Sequence, residues 1–196
     1  MLPPLIALYS PCAQQGKSTV ASILTHEYAY QLVKLAGPLK AMLRVYLAEW
    51  GIPPADIERY IEGDLKEKLI PGVDKTARHL MRTLGTEWGR DQVGPGSWVR
   101  LARMKIMGLI KAGKRVVVDD MRFEEEYFGL NLLSAKMIQV IRPGHGEAKA
   151  DHRSEGGLSG VKFHHTIINR GTMNELVGTV TGYMDQFIDP ELVTFP

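Results

Sequence analysis

Five short apolar runs, interleaved with stretches of helical periodicity, constrain this 196-residue chain more than any other feature. They are 5–9 (LIALY), 31–37 (QLVKLAG), 114–120 (KRVVVDD), 135–143 (AKMIQVIRP) and 163–169 (FHHTIIN). Apolar runs of this kind mark strands buried on both faces, the condition of a parallel sheet. Between them, 17–29, 38–50, 76–93, 97–113 and 172–188 place apolar residues at helical spacing, and 51–74 holds a short helix and a polar loop. Pro38 suits a first helical turn, and Gly113 a helix end. The alternation predicts an α/β fold: a central parallel five-stranded sheet with helices on both faces. Ligands in such sheets bind beyond the carboxyl ends of the strands.

The length suits one domain with a small insertion. A formal net charge of +2 is nearly balanced, which argues against a nucleic-acid coat or a membrane-surface binder. Cys12 is the single cysteine, so no internal disulfide forms and a reducing compartment fits. No apolar stretch is long enough for a bilayer, and the first residues lack a basic start and a long apolar run. A cytoplasmic protein is expected.

The first strand-like run leads into SPCAQQGKST (10–19). A strand, a loop ending in Gly-Lys-Ser and a helix is the arrangement a triphosphate needs. Backbone N–H groups wrap the phosphates, and the helix N-terminus adds a favourable dipole. Gly16 permits close backbone approach, Lys17 reaches the outer phosphates, and the Ser18 hydroxyl helps hold Mg²⁺. The pattern asks for glycine where Pro11 stands. Proline fixes φ and has no N–H, so the essential donors must come from residues nearer Gly16. The expected ATP-binding loop is therefore Ala13, Gln14, Gln15, Gly16, Lys17, Ser18 and Thr19. Cys12, inside this loop, reads more readily as a small filler than as a reactive thiol.

Asp119 and Asp120 end the third run, where a carboxylate can hold Mg²⁺ directly or through water. Neighbours on a strand point to opposite faces, so the pattern leaves open which one faces the metal. Arg122 follows, within reach of phosphate or acceptor. Arg78, Arg82 and Arg90 cluster in 78–90, as gripping anionic substrates requires. Arg78 reads equally well as a solvated charge. Glu87 suits a base edge, a sugar or an arginine partner, and Trp88 and Trp98 suit base stacking or the core. The glycines and cations of 144–160, with Arg142, Lys149 and Arg153, have the composition of a closing lid. Histidine metal ligation is disfavoured, because the neighbouring strand residues His164 and His165 point opposite ways.

Several stretches together resemble the bacteriophage deoxynucleoside monophosphate kinases, of the P-loop nucleotide kinase class. They are GKSTVA (16–21), LAGPLKAML (35–43), YIEGDLKEKLIPG (60–72), RHLMRTLGTEWGRD (78–91), SWV (97–99), VVVDDMRFEEE (116–126), VIRPG (140–144), DHRSE (151–155) and IINRGTMNEL (167–176). They run in order over nearly the whole chain. Two departures are Pro11 for the usual glycine and Ser18 where phage members often carry aspartate. The resemblance implies a single P-loop kinase domain of three layers over 1–196, with a monophosphate-binding helical region at about 38–98 and a lid at about 143–160. It implies ATP-dependent phosphorylation of a deoxynucleoside 5′-monophosphate to the diphosphate, for phage DNA precursor synthesis.

Carried over by position, the resemblance gives Lys17, Asp120, Arg122 and Arg153 catalytic roles, and Asp120 and Arg122 match the family's Asp-x-Arg. Arg142, Asn169 and Gly171 join the loop residues in binding ATP. Lys40, Arg82, Glu87, Arg90 and Trp98 line the monophosphate pocket. Ser18 and Asp119 hold the metal. A homodimer is a reasonable expectation from the same resemblance. Two competing readings remain: a kinase acting on a hydroxymethylated pyrimidine in phage DNA, and a non-kinase ATP-binding regulatory module.

Overall fold

The computed structural model describes residues 1–144, 157–158, 160 and 161–188. Arg153, and nearly all of the stretch read as a lid, lie outside the described residues. The chain divides into two compact units, Met1–Lys34 with Ala102–Pro196, and Leu35–Leu101.

The first unit holds five parallel strands: β1 (Leu5–Tyr9), β2 (Tyr30–Leu32), β3 (Arg115–Val118), β4 (Lys136–Ile141) and β5 (His165–Ile168). They lie in the order β2-β3-β1-β4-β5. β1 occupies the centre, paired with β3 from Leu5↔Val116 and with β4 from Ile6↔Lys136. Its residues alternate between two apolar layers, as the period of a strand requires. Ile6 and Leu8 join Val117, Ile138, Val140 and Ile167 beneath α1 (Lys17–Tyr28) and α7 (Met173–Asp185). Leu5, Ala7, Val116, Val118 and Met137 belong to the opposite layer and are fully buried too. α6 (Glu124–Asn131) contacts β4. The result is the α/β sheet with helices on both faces that the alternation predicts.

The second unit is helical: α2 (Gly37–Glu49), α3 (Pro54–Ile61), α4 (Ala77–Thr83) and the start of α5 (Ser97–Lys111). Its core is Leu43, Leu47, Ile57, Tyr60, Ile61, Ile70 and Ala77. Arg44 binds Glu58 with two hydrogen bonds, of 2.6 and 3.0 Å. Lys40 reaches both oxygens of Glu62 at 2.7 Å. These exposed pairs set the α2–α3 orientation more than they add stability.

Three details differ from the expectation. β2 covers three residues and not 31–37, because its pairing with β3 runs only from Tyr30↔Arg115 to Leu32↔Val117. The stretch 121–134, given no element, contains α6; Glu126 caps its start by accepting from the backbone N–H of Arg122 (2.7 Å) and Phe123 (3.1 Å). The single helix expected over 76–93 widens after Thr83 into a π-helix, Leu84–Val93.

The widening is explained by what surrounds the Gly85 carbonyl. Trp98 Nε1 donates to it at 2.8 Å and an Arg90 guanidinium nitrogen at 3.1 Å, so side chains satisfy the acceptor. Gly89 lies directly on the Trp98 ring, and a Cβ there would fall 2.4 Å from three ring atoms. Gly89→Ala is therefore expected to cost about 2–3 kcal/mol by overpacking. Urea unfolding measures this, and Gly85→Ala, whose Cβ would meet only Leu39 at 3.4 Å, is the milder control.

Candidate active site

The loop between β1 and α1 wraps around left-handed backbone. Gln14 has φ 60° and Gly16 φ 102°, so successive N–H groups turn toward one side, a geometry suited to an anion. Gly16 is also the N-cap of α1, and its carbonyl accepts from Val20 at 2.9 Å. Neighbouring strands anchor the loop through Gln15, which is buried. Its side-chain Oε1 accepts from the Arg142 N–H beyond β4, and its backbone carbonyl accepts from Asn169 Nδ2 beyond β5, at 3.1 Å. A Cβ on Gly16 would lie 2.7 Å from that same Nδ2, so glycine is required both by φ and by contact.

These residues border a cavity of about 420 Å³, ample for a nucleotide. The structure brings Gln14, Gln15, Gly16, Lys17, Ser18, Thr19, Arg142, Asn169 and Gly171 together around it. Ala13 and Pro11 do not line it. The sequence reading missed four lining residues: Ser10, Thr172, Met173 and Leu176. Thr172 carried a legible signal, the capping-box pattern Thr-x-x-Glu. Its N–H donates to Glu175 Oε2 at 2.6 Å, and its hydroxyl accepts from the Glu175 N–H at 3.4 Å. This fixes the first turn of α7 against the cavity.

Lys17 begins α1. Burial lowers its ammonium to a pKa of about 8, helped by nearby Arg122 and Lys34 and opposed by Asp119 and Asp120. Cations and carboxylates from the ends of β2 and β3 thus converge electrostatically on the loop lysine. Asp119 is 3 % exposed. Lys34 Nζ sits against both oxygens of this carboxylate, 2.7 Å from Oδ2 and 2.6 Å from Oδ1. Lys34 was absent from the sequence reading, because a lone lysine after a short strand carries no pattern. Among the described residues no cluster of three or more His, Cys, Asp or Glu could hold a metal by itself. An oxygen-bound Mg²⁺ needs few protein ligands beside phosphate, and the Ser18 hydroxyl and the Asp119 carboxylate are oxygen donors of the kind it takes.

The residues assigned to the acceptor all belong to the second unit. Lys40 is bound to Glu62, the C-cap residue of α3. Arg82 lies on α4 with a buried Nε that makes no hydrogen bond. Glu87 is exposed on the π-helix, while Arg90 is 8 % exposed and donates to the Gly85 carbonyl. Trp98 is buried, with its ring against Gly89 and its N–H on Gly85, so it supports the π-helix from beneath.

A family model described as deoxynucleotide monophosphate kinase matches residues 55–180. The chain belongs to the deoxynucleotide monophosphate kinase family. It is an enzyme of that kind, a phosphotransferase that acts on deoxynucleoside monophosphates. The match includes the second unit from α3 onward and continues through β3, β4, β5 and most of α7. No curated protein matches the chain. Among solved structures, TT1252 from Thermus thermophilus is similar over 100 % of both chains, with 17 % identity and a TM-score of 0.50. At that identity the likeness concerns the fold alone.

Proposed function

We propose that the cavity at the β1–α1 loop is the ATP site of this kinase, and that the γ-phosphoryl group passes from ATP to the 5′-phosphate of a deoxynucleoside monophosphate. The observation that carries this reading is the convergence around one cavity of a loop with left-handed residues at Gln14 and Gly16, a half-buried lysine and the Asn169–Leu176 segment. Lys17 neutralises the outer phosphates, while the N–H groups of 14–19 orient them. Asn169 and Gly171 receive the base, with Arg142 beside the phosphate loop. Ser18 and Asp119 would hold Mg²⁺, which supplies charge neutralisation between the outer phosphates when bound. Asp120 and Arg122 act beside Lys17, and Arg153 adds positive charge from outside the described residues.

The acceptor side of the reading assigns Lys40, Arg82, Glu87, Arg90 and Trp98 to the monophosphate. Phosphoryl transfer needs two anions held in line with their charge offset, which accounts for arginines on the acceptor side as well as the lysine on the donor side. The whole forms one P-loop kinase domain, with the acceptor region at about 38–98 and a lid at about 143–160. Among the described residues no helix is long and apolar enough to cross a membrane. We place the enzyme in the host cytoplasm, as a homodimer supplying phage DNA precursors.

ADP production with ATP and Mg²⁺ tests this, measured across the deoxynucleoside monophosphates, a hydroxymethylated deoxycytidylate and hydroxymethylated DNA. The expected result is ADP release dependent on one or more free monophosphates. Release that ignores the acceptor, or that responds to DNA alone, rejects the reading.

A further inference from the structure

The cavity takes most of its polar groups from the loop, Gln14 to Thr19, while among the described residues its large apolar side chains, Met173 and Leu176, come from α7. The buried face of that helix is Leu176, Val180, Tyr183 and Met184. Met173, Leu176 and Val180 follow one another at three and four residues, so they form one stripe. Val180 and Leu176 belong to the core of the first unit. The stripe leaves that core at Leu176, which is buried yet lines the cavity, with its Cδ2 3.8 Å from where a Cβ on Gly16 would stand. Met173 lies one turn further out, lines the cavity too, and is 60 % exposed. The capping box between Thr172 and Glu175 fixes the backbone of this turn. A scattered exposed apolar side chain is ordinary, but this one ends a core stripe on the wall of a cavity.

We propose that Met173 is the base-contacting residue of the donor site: its thioether packs against the face of the donor's nucleobase. The inference rests on the reading of this cavity as the ATP site, with the phosphates held on the loop. A nucleotide anchored in that way has one flat apolar group left to cover, the base. Gly171, which receives the base in that reading, is two residues from Met173. A thioether suits the contact, because it is flexible and polarisable and sulfur lies favourably against aromatic rings.

The probes are a non-hydrolysable ATP analogue and inorganic tripolyphosphate, each titrated with Mg²⁺ against the full chain by calorimetry. In Met173→Ala the Kd of the analogue rises about tenfold and at least about fivefold. The Kd of tripolyphosphate, which carries no base, stays within about twofold. Met173→Leu supplies an apolar side chain of similar volume and holds the analogue within about twofold of the parent. A rise below about fivefold in Met173→Ala, equal losses for the two probes, or a Met173→Leu as weak as Met173→Ala overturns the proposal. A parent chain that binds neither probe overturns the donor-site reading and this inference together. A parent that binds the analogue but not tripolyphosphate overturns the phosphate-anchored pose, and this inference with it. A parent that binds both, beside a Met173→Ala with an unchanged Kd for the analogue, overturns this inference alone.

Discussion

Lys17→Met is expected to lose phosphoryl transfer by about 10²–10³-fold or more and, at neutral pH, to gain stability. The two effects share one cause. The ammonium is held partly out of water beside Arg122 and Lys34, and its pKa falls from the ordinary 10.5 to about 8. Below pH 8 the lysine is charged in both the folded and unfolded chain, and the fold bears the whole cost of burying that charge. Between about 8 and 10.5 the unfolded chain holds a proton that the folded chain has released, so this group's contribution to stability improves as pH rises through that window. Methionine removes the charge and keeps the stem. Its gain, on the order of 2 kcal/mol, is thus largest below pH 8 and fades toward pH 10.5.

Thermal melts of parent and variant across pH 6–10 measure the stability change, and steady-state ADP release measures the loss of transfer. The same lysine also predicts how the donor binds. Phosphate recruits the charged form, so ATP affinity in the parent declines above pH 8 and binding there takes up a proton. In Lys17→Met this slope disappears. A variant with near-parental turnover would remove Lys17 from the chemistry.

The second large effect is at Gly16. Gly16→Val places a β-branched side chain at φ 102°, and its Cβ would fall 2.7 Å from Asn169 Nδ2. Both the backbone and the Asn169–Gln15 hydrogen bond must yield. Since Gln15 also receives the Arg142 N–H, the displacement spreads to the end of β4. ATP affinity is expected to fall by about a hundredfold or more, with the sheet intact. Pro11→Gly is the informative contrast: Pro11 does not line the cavity, so activity stays largely unchanged. Equilibrium binding of a fluorescent ATP analogue separates the two. Equal losses in both variants would mean that the loop acts as one rigid piece from residue 11 onward.

The sheet was legible because each of its strands is short, apolar and bounded by polar or turn residues. The loop at the cavity was legible because Gly16-Lys17-Ser18 follows the first of these strands. The π-helix was not, since its cause is tertiary: nothing local in LGTEWGRD announces that Trp98 and Arg90 will donate to the Gly85 carbonyl. Lys34 was hidden for a related reason. Its pairing with Asp119 follows only once the β2–β3 register is known, and a three-residue strand sets no register by pattern alone. α6 was overlooked although Glu124, Glu125 and Glu126 open it, a run of acids favoured by the helix dipole. The buried Glu126 proves to be the residue that caps the helix.

Placing β1 at the centre of the sheet also has a cost during synthesis. Leu5–Tyr9 is made early, yet its two partners begin at Arg115 and Lys136. At ribosomal speeds the second partner follows on the order of ten seconds later. Until then an apolar segment with two open edges has nothing to pair with, and it has the composition that promotes aggregation. The yield of active enzyme should therefore depend on chaperone capacity and on the rate of translation, even for variants whose finished fold is fully stable.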